Sequence, residues 1–169
     1  LAAAVILSVP LGFTNTMSRM YDKVAVEFQD GAEKDGLSIQ ADLDARASAA
    51  YNLATVAKRY MAEDSEAVQS VLKASEALNA AKGPAAKYAA NEELGEVCTQ
   101  LYEVLGTMEL SEKDEQYRQS LYAEMKSRNV TMGNDPYNQL AEKYNEKLER
   151  FPANLLGKIF GMEKAELFQ

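Results

Sequence analysis

The sequence has no histidine and no tryptophan, and one cysteine, Cys98, in 169 residues. Without histidine, Ser-His-Asp and Cys-His catalysis are excluded, as is every His-dependent metal motif. A di-iron carboxylate centre of the helical-bundle type falls with them, because it needs Glu-x-x-His pairs. A lone cysteine makes neither an internal disulfide nor a thiolate metal cluster. Cys98 lies between Val97 and Leu101 in an apolar helical pattern and reads as a small core residue, with a reactive thiol as the lesser alternative. Disulfide chemistry therefore does not fix the redox compartment. Positive charge is also in short supply, with 18 Lys and Arg against 26 Asp and Glu and a net charge of -8. That balance disfavours nucleic acid, whose phosphates need a basic face, and general adhesion to anionic head groups. The carboxylates of Glu92, Glu93 and Glu96, or of Asp42 and Asp44, read as solvated faces rather than a metal or acid–base site. No oxygen-rich calcium loop with the needed glycine spacing occurs. The expectation is a non-enzymatic protein with no cofactor and no metal.

What is present is ordinary globular composition, 47% hydrophobic and 26% charged, in a chain long enough for one domain with a real core. Its start is unusual: residues 1–13 read LAAAVILSVPLGF, and no charge appears until Arg19. A bilayer needs about 20 apolar residues, so this run alone is too short. The chain opens on Leu1 rather than Met, and the run reads as the end of a longer apolar segment. A truncated transmembrane or uncleaved signal anchor is the leading expectation. A cleaved signal remnant, a buried strand or a core helix are the alternatives. Pro10 and Gly12 would loosen a helix in water but are tolerated in membrane helices. Residues 1–13 are thus assigned to an N-terminal membrane anchor or signal segment, and 14–169 to a helical domain with an apolar C-terminal tail. Arg19 and Lys23 are interleaved with Asp22 and Glu27, so charge does not orient the segment.

Helical periodicity recurs along the rest of the chain. Met17, Met20, Tyr21, Val24 and Phe28 fall at helical spacing, and DGAEKDG at 30–36 marks a break. A second stripe runs Ile39, Leu43, Ala47, Ala50, Leu53, Ala54, Ala57 and Tyr60, its alanines suggesting close helix approach. Asp64 or Ser65 suits the cap of a third helix, which Gly83-Pro84 ends. A fourth carries Leu94, Cys98, Leu101 and Leu105. Ser111 and Asp114 resemble a capping box for a fifth, with Asp in place of the usual Glu and with Asp114–Arg118 and Glu124–Arg128 pairs expected on its wet side. After Gly133-Asn134, Asp135 suits an N-cap and Pro136 a first helical position. The last helix shows Tyr137, Leu140, Ala141, Tyr144, Leu148 and Phe151 on one face. The pattern predicts an all-α, antiparallel up-and-down bundle of about four long helices.

The C-terminal third holds the most specific pattern. Tyr137-Asn138 recurs as Tyr144-Asn145, seven residues on, followed by Phe151-Pro152, Asn154, Phe160-Gly161 and Phe168. This run closely resembles the C-terminal signature of the LemA family of bacterial proteins. Ile39, Leu43, Arg46, Asn52-Leu53, Val56 and Tyr60 resemble an earlier segment of that family, and the apolar start is similar to its single membrane segment. The resemblance implies long antiparallel helices beside a single-pass anchor, and it brings no established enzymatic activity. DGAEKDG and Gly133 to Pro136 depart from the family pattern by interrupting what is elsewhere continuous helix.

Seven residues are two helical turns, so both Tyr-Asn pairs lie on one side of their helix. The structural expectation is that the Tyr rings line the core edge with their hydroxyls bonded, while the Asn amides bond across the bundle and fix register. The functional alternative is a groove for a small ligand or peptide. Leu155, Leu156, Ile159, Phe160, Met162, Leu167 and Phe168 make the tail too apolar for a free solvated end. It either packs back on the bundle or docks on a protein partner or the membrane surface. The function expected is a membrane-tethered scaffold in the bacterial envelope that binds an unidentified protein partner. It is single-pass, with the bundle on the extracytoplasmic side. A receptor for a small ligand or peptide is the alternative.

Overall fold

The computed structural model describes residues 2–32 and 36–169, with side chains from Gly12 onward except at 33–35. Within these, α1 spans Ala2–Asp30, α2 Ile39–Ala57, α3 Glu66–Ala80, α4 Pro84–Gly106, α5 Glu112–Gly133, α6 Tyr137–Glu149 and α7 Ala153–Ile159. No strand occurs among the described residues, so the all-α expectation holds. Where about four long helices were expected, seven helices of 7 to 29 residues occur among the described residues. Most of the run read as an anchor, and the centre of the DGAEKDG break, lie outside the residues whose side chains are described. Among the described residues no helix is long and apolar enough to cross a membrane.

Helix α2 is the hub, touching α1, α3, α4 and α5. Its alanine stripe explains how one helix serves four neighbours. Ala50, Ala54 and Ala57 are fully buried, and their small side chains let the partner backbones come close beside Leu43 and Leu53. Ser38 starts α2 by accepting the Ala41 N–H at 3.1 Å, while its own hydroxyl donates to Gln29 O and ties α2 to the end of α1. Helix α5 lies antiparallel to α2: Arg128 meets Asp42 at 2.9 Å at one end, and Arg59 meets Asp114 at the other. Cys98 is fully buried in this core, and burial pushes its thiol up to about 12.

Two local expectations are corrected. Gly83-Pro84 does not end α3, which stops at Ala80. Gly83 adopts a φ of 81° as the N-cap of α4, with Pro84 in that helix's first turn. Arg118 is not on a wet face paired with Asp114. It is nearly buried, bonded to both carboxylate oxygens of Glu115 and to Tyr102 O, with its guanidinium 4.1 Å from the Tyr102 ring centre. Glu124 is 3.9 Å from Arg128, whose closer partner is Asp42.

The capping box at α5 explains where Asp114 went. Ser111 Oγ accepts the Asp114 N–H at 3.1 Å. The short Asp side chain does not return to Ser111 N, and the Tyr60 hydroxyl spans the gap by accepting that N–H at 3.0 Å and donating to Asp114 Oδ2 at 2.6 Å. The end of α2 is thereby bonded into the start of α5. The Tyr60 hydroxyl, with Ser111 and Arg59, holds the Asp114 carboxyl below the usual carboxylate range, and Arg118 and Gln119 hold Glu115 down to about 2. An unfolded chain takes up these protons at about pH 4, before the native state does, so the unfolded form binds more protons in the acid range. The stability these groups contribute is therefore fully present above about pH 5 and lost as pH falls through their native values towards 2. Thermal unfolding followed between pH 6 and 2 should show a falling Tm whose slope flattens in Glu115→Gln. An unchanged slope in that variant would remove Glu115 from the account.

The second structural unit is α1 with α6. Phe28 packs edge-on against Tyr137 with centroids 5.1 Å apart, and Tyr21 against Tyr144 at 5.4 Å. Seven residues forward in one helix match seven back in the other, so the two run antiparallel. Gly133 to Pro136 provides the turn that frees α6 from α5. Helix α6 begins at Tyr137, one residue later than expected, and Asp135 Oδ1 accepts the Tyr137 N–H at 2.8 Å.

Candidate functional site

The Tyr-Asn repeat and the C-terminal tail form one site. Tyr137 and Tyr144 are buried with their rings against α1. Their hydroxyls donate to the chain of the tail, Tyr144 to Glu163 O at 3.0 Å and Tyr137 to Glu166 O at 2.7 Å. Each Asn amide grips one tail residue from both sides. Asn145 Nδ2 donates to Ala165 O at 2.9 Å while its Oδ1 accepts the Ala165 N–H at 2.8 Å. Asn138 does the same to Phe168, at 2.9 and 2.8 Å. The amide side chain thus reproduces what a neighbouring β-strand would offer to a single residue.

The spacing has a geometric cause. Seven helical residues advance about 10.5 Å. Three extended residues advance about 10 Å. The helix repeat of seven and the tail repeat of three, Glu163 to Glu166 and Ala165 to Phe168, are therefore commensurate. Ala165 and Phe168 are buried, Met162 is half-buried, and the residues between them are more exposed. That period of three suits an extended chain with three residues per turn. Phe168 closes the site by packing against Phe28 at 6.0 Å and Tyr88 at 5.2 Å between ring centres, which joins α1, α4 and the tail. Burial pushes the Tyr137 hydroxyl up to about 12 and raises that of Tyr144, so both remain donors across the physiological range.

The rest of the signature delivers the tail to this groove. Pro152 precedes α7, and Asn154 N donates to Arg150 O at 2.9 Å in its first turn. Gly161 follows the helix with a φ of 64°, and Met162 N reaches back to Gly157 O at 2.9 Å. That is the long bond of a Schellman stop, which favours glycine in the left-handed position. Phe151 and Phe160 do not join the core: they are 82% and 46% exposed. With Leu155 and Ile159 of α7, also exposed, they make α7 and its two flanks an apolar surface.

The Tyr half of the structural expectation therefore matches, while the Asn half needs correcting. The amides bond the tail and not a second helix. The groove lined by Tyr and Asn is filled by the chain's own C-terminus. Sequence reasoning did not single out Arg46 or Tyr60 as polar groups of the core. Arg46 sits on the apolar stripe of α2, where a charged residue between Leu43 and Ala47 was the available signal, and Tyr60 lies half-buried in the turn just after that helix. No three His, Cys, Asp or Glu side chains converge as a metal site among the described residues.

Comparison with known proteins agrees with the C-terminal signature. A family model described as the LemA family matches residues 37–169. No curated protein and no solved structure matches the chain.

Proposed function

The chain belongs to the LemA family, and on that premise we propose that it is a membrane-tethered, non-enzymatic helical scaffold of the bacterial envelope that presents its bundle to a protein partner. The tether is the apolar start of α1. The acidic bundle, with its net charge of -8, stands on the extracytoplasmic side, away from the more anionic cytoplasmic leaflet.

The observation that carries this reading is the apolar face of α7. Phe151, Leu155, Ile159 and Phe160 are 82%, 56%, 66% and 46% exposed, a cluster that a water-facing surface does not favour. In the α1–α6 register, Tyr144 stands level with Tyr21, nearer the start of α1 than the Phe28–Tyr137 pair, and α7 follows α6 at that end. Helix α7 therefore sits at the end of the bundle from which α1 continues towards Ala2. A bilayer holding that part of α1 meets the α7 face at its surface, with Arg150 and Lys158 beside it for the head groups.

Because the chain has no tryptophan, one introduced at Leu155 is a unique fluorophore. In vesicles whose lipids carry brominated acyl chains, Leu155→Trp should be quenched and blue-shifted, whereas Tyr51→Trp on the exposed flank of α2 should not. If the chain fails to sediment with vesicles at all, the tether is wrong. If it sediments but the tryptophan at 155 is unquenched, the tether stands and the α7 face is not its seat.

A further inference from the structure

Arg46 is 3% exposed, yet among the described residues no carboxylate forms an ion pair with it. Its side chain leaves α2 and runs beneath α4 and α5. Nη1 donates to Met125 O at 2.5 Å and Nη2 to Asn91 O at 3.5 Å. A guanidinium has five N–H donors, so after these two bonds three are unspent, and Nε has no partner at all. An arginine does not shed its charge in a protein, and a buried cation without a counter-charge is costly.

This guanidinium is the floor of a groove of about 400 Å³ between α4 and α5. The Tyr102–Tyr122 stack, at 4.0 Å, closes one end. The contact from Asn91 Nδ2 to Asn129 Oδ1, at 3.4 Å, lies at the other. Gly95 keeps the wall open over the charge, since a Cβ there would stand 3.2 Å from Arg46 Nη2. On the rim, Glu92 and Glu96 stand one helical turn apart, both exposed and neither ion-paired. Like charges at that spacing repel. Lys126 faces them from α5, leaning on the Tyr122 ring at 5.8 Å. Formal charges in the groove therefore cancel, Arg46 and Lys126 against Glu92 and Glu96, and neither a plain anion nor a plain cation gains from the net field.

We propose that this groove binds a small zwitterion of the amino-acid class, its carboxylate on Arg46 and its ammonium group between Glu92 and Glu96. A carboxylate accepts from N–H groups that the guanidinium leaves unspent, and the ammonium relieves the two rim carboxylates. The volume is within the range of small-molecule sites. A purely structural Arg46, pinning α2 to two carbonyls, accounts for the bonds it makes. It does not account for the unpartnered Nε, the glycine above it, or the two unpaired acids on the rim. The inference is independent of the membrane tether.

The test is titration of the 15N-labelled full chain with glycine, 4-aminobutyrate and 5-aminopentanoate, which vary the charge separation, and with pentanoate and pentylamine, which carry one charge each. At least one zwitterion should shift the Gly95 and Asn129 amides saturably, with both single-charge compounds at least tenfold weaker. Glu92→Gln with Glu96→Gln changes only exposed side chains, so the fold is retained and zwitterion affinity should drop at least tenfold, to that of pentanoate. Arg46→Met should abolish binding, but it also removes two backbone contacts, so the rim variant decides. No saturable shift with any of the three zwitterions would overturn the proposal. So would pentanoate binding as tightly as they do, or a rim variant that binds unchanged.

Discussion

Replacing Asn138 and Asn145 together by leucine is expected to release the C-terminal tail from α6 while leaving α2–α5 folded. Four hydrogen bonds vanish, two from each amide. At roughly 0.5–1.5 kcal/mol net for each bond, the loss is about 2–6 kcal/mol. Leucine is a better helix former than asparagine, so α6 itself is not weakened and the effect belongs to the clamp. Hydrogen exchange on the tail gives the direct reading. The amides of Ala165 and Phe168 should be protected in the parent chain and exchange freely in the double variant, with Leu94 and Leu101 amides unchanged. If both tail amides keep their protection, apolar contacts alone hold the tail and the Tyr-Asn repeat has another purpose.

Much of this site was legible in the sequence, and what was not has a specific cause. The heptad spacing of Tyr137 and Tyr144 placed them on one face, and the apolar count of 155–168 argued for a packed tail. Nothing local joined the two observations, because the match is between a helical rise and an extended rise. Periodicity within one element does not report such a match. Arg118 shows a similar limit. Its expected partner Asp114 is occupied by Tyr60 and Arg59, more than 50 residues upstream, so the arginine turns to Glu115 and the Tyr102 ring. Short-range pairing rules fail where a long-range contact takes the partner first. Arg46 was hidden differently: the spacing that marks it as buried is the same spacing that marks leucine and alanine, and only its charge sets it apart.

The tail also sets what the family match means physically. The matched stretch begins at residue 37, which excludes α1. Yet Tyr137, Tyr144 and Phe168, all within it, pack their rings on Tyr21 and Phe28 of α1. The signature residues therefore need α1 to bury against. They act as a buckle, fastening α1 to the end of the bundle.

Phe168→Ala is expected to be as damaging as losing the clamp, and for a linked reason. Phe168 is 7% exposed and gives the tail two aromatic contacts, with Phe28 and with Tyr88. Truncating a buried phenylalanine costs about 3–5 kcal/mol. The tail, however, can leave the groove without the bundle unfolding, so no variant confined to this site loses more than the free energy with which the tail docks. Urea unfolding of Phe168→Ala, of Asn138→Leu/Asn145→Leu and of the triple variant should therefore converge on nearly one stability. In the clamp-free background, Phe168→Ala should cost less than about 1 kcal/mol, which is strong coupling in a double-mutant cycle. Additive losses would mean that Phe168 stays seated when the amides are gone. The aromatic cluster and the Asn clamp would then be separate fastenings instead of two halves of one.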